Sequence, residues 1–192
     1  MDPEKVIDEF KQTGALLEGH FQLTSGLHST VYLQCARVLQ FPAKAEAFGR
    51  AIAEQFSDTG IQLVASPAIG GIVIGHEVAR ALRARFIWTE REGGVMTLRR
   101  GFTVSPGERT LVVEDVITTG GSTRETIEAL QSAGAEVVAA ASIIDRSGGN
   151  VSVGVPRIAL ATLRVASVEP SNCDACKTGE PAVKPGSRGQ KA

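Results

Sequence analysis

Apolar positions along this chain follow two periods, and the places where the period changes divide it into elements. Val6, Ile7 and Phe10, followed by Leu16 and Leu17, mark an amphipathic helix from about Pro3 to Gly14, with Pro3 in its first turn. His20 to Leu39 is strand-like in composition, interrupted at Ser25–Gly26. Pro42 then opens a helical repeat through Ala45, Phe48, Ile52 and Phe56. Short unbroken apolar runs follow at Leu63–Ala65, Phe86–Trp88, Leu111–Val113, Val137–Ile144 and Ile158–Leu163, the kind that fill a pleat covered on both faces. Helical patterns run from Gly70–Gly71 through Leu82 and from Thr123 to Ala133, the second closed by Gly134. Gly93–Gly94 and Pro106–Gly107 mark turns. Strands alternating with helices predict an α/β fold built on a mostly parallel, doubly wound sheet. The first 40 or so residues break the alternation and predict a small hood beside it.

Composition narrows the class. With 192 residues the chain has enough length for one domain with a sizeable core, and 43% hydrophobic against 21% charged residues is a soluble globular balance. The net charge of −1 supplies no basic field for nucleic acid, and no apolar run approaches a membrane span. The acidic start, Met1 to Lys5, lacks the apolar core of a signal peptide. Three cysteines, an odd number, give no disulfide framework and point to a reducing, cytoplasmic setting. Residues 1–169 are expected to form one domain, with 170–192 a tail rich in Pro, Gly, Ser and Lys that need not fold by itself.

The chemistry concentrates in Leu111 to Arg124. An apolar strand ends in Glu114 and Asp115, where open α/β sheets bind ligands, and passes through Thr118, Thr119, Gly120, Gly121 and Ser122 into a helix. Hydroxyls and approachable N–H groups at a helix N-terminus suit a phosphate dianion, and acids just before them suit ribose hydroxyls. A well-capped helix after an ordinary turn is the plainer alternative, since Ser and Thr are common N-caps. Ala68, Ile69, Gly70 and Gly71 form a second glycine-bearing strand-to-helix turn, suited to another anion.

The 114–122 stretch resembles the phosphoribosyl-diphosphate signature of the type I phosphoribosyltransferases. It lacks the Gly-Lys-Ser/Thr ending of a nucleoside-triphosphate loop, and its acids precede the glycines, unlike a dinucleotide fingerprint. The resemblance implies that Glu114, Asp115, Val116, Ile117, Thr118, Thr119, Gly120, Gly121 and Ser122 bind the ribose 5′-phosphate half of phosphoribosyl diphosphate. It implies that Ala68, Ile69 and Gly70 bind the diphosphate, in a loop that in this family often holds a non-proline cis peptide. Arg146, directly after a third strand end, and the Ser25–Gly26 opening are similar to elements of the orotate phosphoribosyltransferases, where with Thr118 they contact orotate. An Arg fork suits a carboxylate or imide edge. The same family implies Mg²⁺, a homodimer with shared sites, and partners limited to orotate and phosphoribosyl diphosphate, with neither nucleic acid nor membrane. Transfer to another base, or a phosphoribosyl-diphosphate sensor that binds nucleic acid, are the alternatives.

Two segments depart from the family pattern. Its mobile catalytic loop carries lysines and a histidine, whereas residues 89–101 here contain neither. Arg91 matches the arginine that opens that loop and is carried over as catalytic with Glu114 and Asp115; Arg99 and Arg100 either add charge or simply flank an exposed hairpin. In the tail, Cys173 and Cys176 form half a tetrahedral zinc site, for which Cys35 would give a third thiolate and a second chain the fourth ligand. A reduced, metal-free pair is the simpler reading.

Overall fold

The computed structural model describes residues 1–23, 26–165 and 167–185. Asp2 caps the first helix, α1 (Pro3–Gln12), by accepting the Glu4 N–H at 3.0 Å. Two strands follow, β1 (Leu16–Gln22) and β2 (His28–Leu33), then a short α2 (Ala36–Leu39) and α3 (Pro42–Glu54). The alternating part comprises β3 (Leu63–Pro67), α4 (Gly71–Leu82), β4 (Arg85–Glu92), β5 (Val95–Leu98), β6 (Arg109–Ile117), α5 (Gly121–Ser132), β7 (Glu136–Asp145) and β8 (Arg157–Thr162). A two-residue β9 (Ser167–Val168), a 3₁₀ turn (Pro170–Asn172) and α6 (Asp174–Lys177) complete the described chain.

The main sheet runs β5-β4-β3-β6-β7-β8, parallel throughout except for the β4–β5 hairpin. Strand period explains its two cores. On β6, Leu111 and Val113 enter one apolar cluster with Phe48, Ile52, Ile74 and Val78 from α3 and α4. Val112, pointing the other way, joins Ile127 and Leu130 of α5. Each such fully buried aliphatic side chain contributes about 1.5–3 kcal/mol. The chain leaves β3 toward one edge and returns at β6 to build toward the other, so the sheet's order reverses between β3 and β6. Ligands of open α/β sheets bind outside the strand ends at such a point.

The α/β expectation and the main strands are met, with two revisions. The strand-like segment from His20 stops at Leu33. Amides of Val38 and Leu39 turn back to the Cys35 carbonyl, winding Ala36–Leu39 into a helical turn. The tail beyond residue 170 is tied to the hood as far as Val183, because its backbone finds partners there. Val183 donates to the His20 carbonyl at 2.8 Å and accepts from the Gln22 amide at 2.8 Å. The hood itself is a three-stranded antiparallel sheet, β1-β2-β9, so it draws on residues 167–168 as well as the N-terminal segment.

Candidate active site at the sheet switch point

Glu114 and Asp115 stand near the carboxyl end of β6, both partly open to solvent. Asp115 accepts the Val116 amide at 2.8 Å and lies beside the Cys35 thiol; burial nevertheless raises its pKa. Burial also pushes Glu114 up to about 7, against the lowering effect of a hydrogen bond from Thr123 Oγ1 and with help from the Asp115 charge. Among the described residues no cationic side chain pairs with either carboxyl, so both stay crowded and unneutralised.

The turn after them is built for close approach. Gly120 has φ +70°, and a Cβ there would sit 2.7 Å from Val151 Cγ1 and 2.9 Å from Val153 Cγ1. It is also the N-cap of α5, with no side-chain cap hydrogen bond. Among the described residues no side chain caps α5, so its first-turn N–H groups lack a side-chain acceptor, and Thr118 and Thr119 are exposed beside them.

The second turn closes on the same acids. The Ala68–Ile69 peptide is cis, the Ala68 amide donates to the Thr89 carbonyl at 2.8 Å, and Ile69 is 85% exposed. At Gly70 a Cβ would lie 2.9 Å from Asp115 Oδ2, so only glycine lets this loop come so near. A cavity of about 360 Å³ opens here, lined by Ile69, Gly70, Asp115, Val116, Cys35 and Tyr32.

A neighbouring cavity of about 450 Å³ is lined by Thr118, Thr119, Val116 and Arg146 from the sheet and by Leu23, Tyr32 and Leu33 from the hood. Arg146 reaches it from the loop after β7. Its Nη2 donates to Ser29 Oγ at 3.1 Å and the Val31 carbonyl at 3.4 Å, while among the described residues its buried Nε has no acceptor. A buried donor left unpaired costs about 1–3 kcal/mol. An acceptor on a ligand would recover it.

The loop holding Arg146 is fixed by Asp145, which sequence reasoning passed over. Asp145 accepts from the Ser147 amide at 2.7 Å, Ser147 Oγ at 2.6 Å and the Gly149 amide at 2.9 Å, and pairs with Arg157 Nη1 at 3.0 Å. Burial alone would raise its pKa, but the Ser147 bonds and the Arg157 ion pair bring it below the usual carboxylate range. Tyr32 was also missed, because it and its neighbour Leu33 both line the cavity from β2, against the alternation a strand would show. Nothing in the local sequence marks Asp145 as different from a solvated acid after a strand.

The other anticipated residues lie elsewhere. Gly26 forms the hood turn at φ +87°, with its amide on the Leu23 carbonyl at 2.9 Å; Ser25 lies outside the described residues. Arg91 does not line either cavity. It sits on β4, donating to the Gly94 carbonyl and pairing with Glu125 at 2.6 Å. The stretch corresponding to a mobile loop is a tight β4–β5 hairpin, in which Arg100 pairs with Glu90 at 2.6 Å and Arg99 reaches Glu92 at 3.5 Å. Cys35 is a correction: it is buried beside Asp115, and the group around Cys173 and Cys176 is completed by other residues. The thiol belongs to the strand-to-helix turn after β2, which points it at the main sheet.

The paired acids, the glycine-started α5 and the second glycine-bearing turn meet at the sheet reversal, and the chain belongs to the phosphoribosyltransferase family. The family description "Phosphoribosyl transferase domain" matches residues 35–154, leaving the hood and tail outside the match. Within the family it groups with proteins named orotate phosphoribosyltransferase. The one from Pelotomaculum thermopropionicum is 54% identical over 188 residues, 98% of this chain and 99% of the relative. That from Thermotoga maritima is 52% identical over 181 residues, covering 94% and 97%. The solved orotate phosphoribosyltransferase from Aeropyrum pernix superposes with a TM-score of 0.69 at 28% identity, covering 82% of this chain and 93% of that one. An adenine phosphoribosyltransferase from Rhodothermus marinus, at 23% identity and TM-score 0.65, shares the fold alone.

Proposed function

We infer that this chain transfers the 5-phosphoribosyl group of phosphoribosyl diphosphate to orotate, giving orotidine 5′-monophosphate and diphosphate. The observation that carries the substrate is Arg146: a buried guanidinium with an unpaired Nε, facing a hood-covered cavity of about 450 Å³ beside the phosphate turn. A carboxylated base with an imide edge offers the planar acceptors that such a fork lacks. A purine offers no carboxylate. Near-full-length identity to proteins named orotate phosphoribosyltransferase supports the same reading over a sensor.

The chemistry asks for positioning and charge stabilisation. Displacement at the anomeric carbon passes through an oxocarbenium-like state, so no nucleophilic side chain is required. The first-turn N–H groups after Gly120 and the hydroxyls of Thr118, Thr119 and Ser122 hold the 5′-phosphate. Glu114 and Asp115 accept the ribose hydroxyls, which fixes the ring under the cavity that receives the base. The Ala68–Gly70 turn presents its backbone to the diphosphate. The hard carboxylate oxygens of Glu114 and Asp115 fit Mg²⁺ held largely through water and substrate, and bound Mg²⁺ would neutralise the leaving diphosphate. Arg146 orients orotate so that its ring nitrogen meets the anomeric carbon.

Arg91 pairs with Glu125 at 2.6 Å in its own chain and lines neither cavity. Among the described residues no helix is long and apolar enough to cross a membrane. The test follows orotate absorbance with phosphoribosyl diphosphate, with and without Mg²⁺, alongside a panel of purine bases. Metal-dependent loss of orotate is expected, together with a rise in orotate KM for Arg146→Ala of roughly 10–100-fold, the worth of one or two charged hydrogen bonds. Turnover of a purine base, with orotate untouched, would overturn the assignment.

A further inference from the structure

Far from the sheet reversal, the hood and the tail bring four metal-binding side chains to one point. His20 lies on β1, His28 on β2, Cys173 before α6 and Cys176 within it. One ligand atom from each lies within 4.8 Å of all the others. His20 Nε2 is 2.8 Å from His28 Nδ1 and 3.3 Å from Cys173 Sγ, while Cys176 Sγ is 3.2 Å from His28 Nδ1 and 3.7 Å from His20 Nε2. A tetrahedral zinc ion with bonds of about 2.0–2.1 Å to nitrogen and 2.3 Å to sulfur sets N–N, N–S and S–S separations of about 3.3, 3.5 and 3.8 Å. The four atoms already stand near those vertices.

Three further observations select a metal over a chance meeting of polar groups. His20, His28 and Cys173 are buried, at 5%, 6% and 6% exposure. His20 Nδ1 lies 2.9 Å from the Glu180 carbonyl, which only accepts; the ring proton therefore sits on Nδ1, and the Nε2 lone pair faces the cluster. A carbonyl behind a ligating imidazole is the usual outer partner of a zinc histidine. The cysteines are spaced Cys-x-x-Cys across a single turn, with Lys177 N–H on the Cys173 carbonyl at 3.2 Å, a spacing that lets two thiolates share one ion. Cys35, elsewhere in the fold, has no part in it.

We propose that His20, His28, Cys173 and Cys176 bind one structural zinc ion that fastens the C-terminal tail to the hood. Two imidazoles and two thiolates close the coordination sphere within a single chain, leaving no open position for a substrate, so the ion holds structure and does no chemistry. What it holds is the base-binding side of the molecule. β2 carries His28 next to Ser29, whose hydroxyl takes the Arg146 guanidinium. β9, which leads into the cysteine turn, pairs with β2 at His28 and Ser29. Zinc thus ties the tail to the strand that holds Arg146 in place.

The experiment uses the untagged full-length chain, produced with zinc in the medium and freed of loose metal by gel filtration. Elemental analysis is expected to find about one zinc per chain. Exchange with Co²⁺ is expected to give the intense ligand-field and thiolate-to-cobalt bands of a tetrahedral sulfur-bearing site. Cys173→Ser and Cys176→Ser should each lose the metal, and Cys35→Ser should keep it. Stripping zinc from the wild-type chain should raise orotate KM more than it lowers kcat, and re-addition should reverse the change. A wild-type chain that folds without stoichiometric zinc and takes up Co²⁺ with no thiolate band would overturn the proposal. So would a non-reducing intact mass showing Cys173 and Cys176 joined as a disulfide.

Discussion

Two neighbouring strands end in carboxylates that the fold treats in opposite ways. β6 delivers Glu114 and Asp115, and β7 delivers Asp145, with Ile117 and Asp145 paired across the ladder. All three are at least partly withdrawn from water. Asp145 is surrounded by donors: two N–H groups, a hydroxyl and the Arg157 guanidinium, and its pKa is lowered. Glu114 and Asp115 receive few, and both are raised. The difference separates a charge whose partners are part of the fold from charges whose partners arrive with a ligand. A carboxylate that is buried and satisfied is architecture; one that is buried and short of donors is a place for something else to bind.

Removing the satisfied charge should cost most. Asp145→Ala would leave Arg157 without its partner and the 146–149 loop without its anchor, an expected loss of about 3–5 kcal/mol in urea unfolding. Because its pKa is lowered, the stability Asp145 supplies is present above the unfolded value near 4 and fades as pH falls through the lower folded one. Asp115→Asn should show the reverse balance. Its unfolding midpoint should hold or rise while kcat/KM drops by roughly 100-fold, about 3 kcal/mol of transition-state binding. If Asp115→Asn unfolded the chain and Asp145→Ala only slowed it, the contrast between the strands would be wrong.

A finer test uses pH. Glu114 is raised to about 7, so the folded state is penalised increasingly as pH climbs from about 4.5 through 7 and bears the full penalty above it. Glu114→Gln should therefore gain about 1–2 kcal/mol of stability at pH 8 and nothing at pH 4, a figure kept below the full shift because the group is partly solvated. Ionised Glu114 is the form that accepts ribose hydroxyls. KM for phosphoribosyl diphosphate should fall as pH rises through 7 in the wild type and lose that dependence in the variant. The smallest effect belongs to the hairpin. Arg100→Ala breaks an exposed pair with Glu90 and should change stability by less than about 1 kcal/mol, measured by thermal unfolding.

The sheet was legible because strand and helix periods are local properties: Leu111–Val113 reads as a two-faced strand before any neighbour is known. The cradle was legible for a similar reason, since Glu114 through Ser122 lie in one unbroken stretch and follow one strand end. What escaped was assembled across the chain. Tyr32 reaches the base cavity from the hood, and the donors around Asp145 include an arginine from the next strand. The Cys-x-x-Cys pair was visible, but its companions His20 and His28 are 145 to 156 residues away, and Cys35 was the wrong third member because the turn after β2 directs it at Asp115. Arg91, read as part of a reaching loop, is held by Glu125, as Arg100 is held by Glu90; the two-glycine turn makes that stretch a short hairpin.

The antiparallel hood has a consequence for the order in which the molecule is made. Its β1 and β2 are translated well before β9, the strand that covers the edge of β2, and Ser167 follows its ladder partner Ser29 by 138 residues. At about 5–20 residues per second, that leaves the edge of β2 bare for roughly 7–28 s while the parallel sheet assembles beside it. An uncovered edge strand is an invitation to a wrong neighbour. The nascent chain must pass through this interval with its base-binding cover half sewn, and the final stitches come from its own tail.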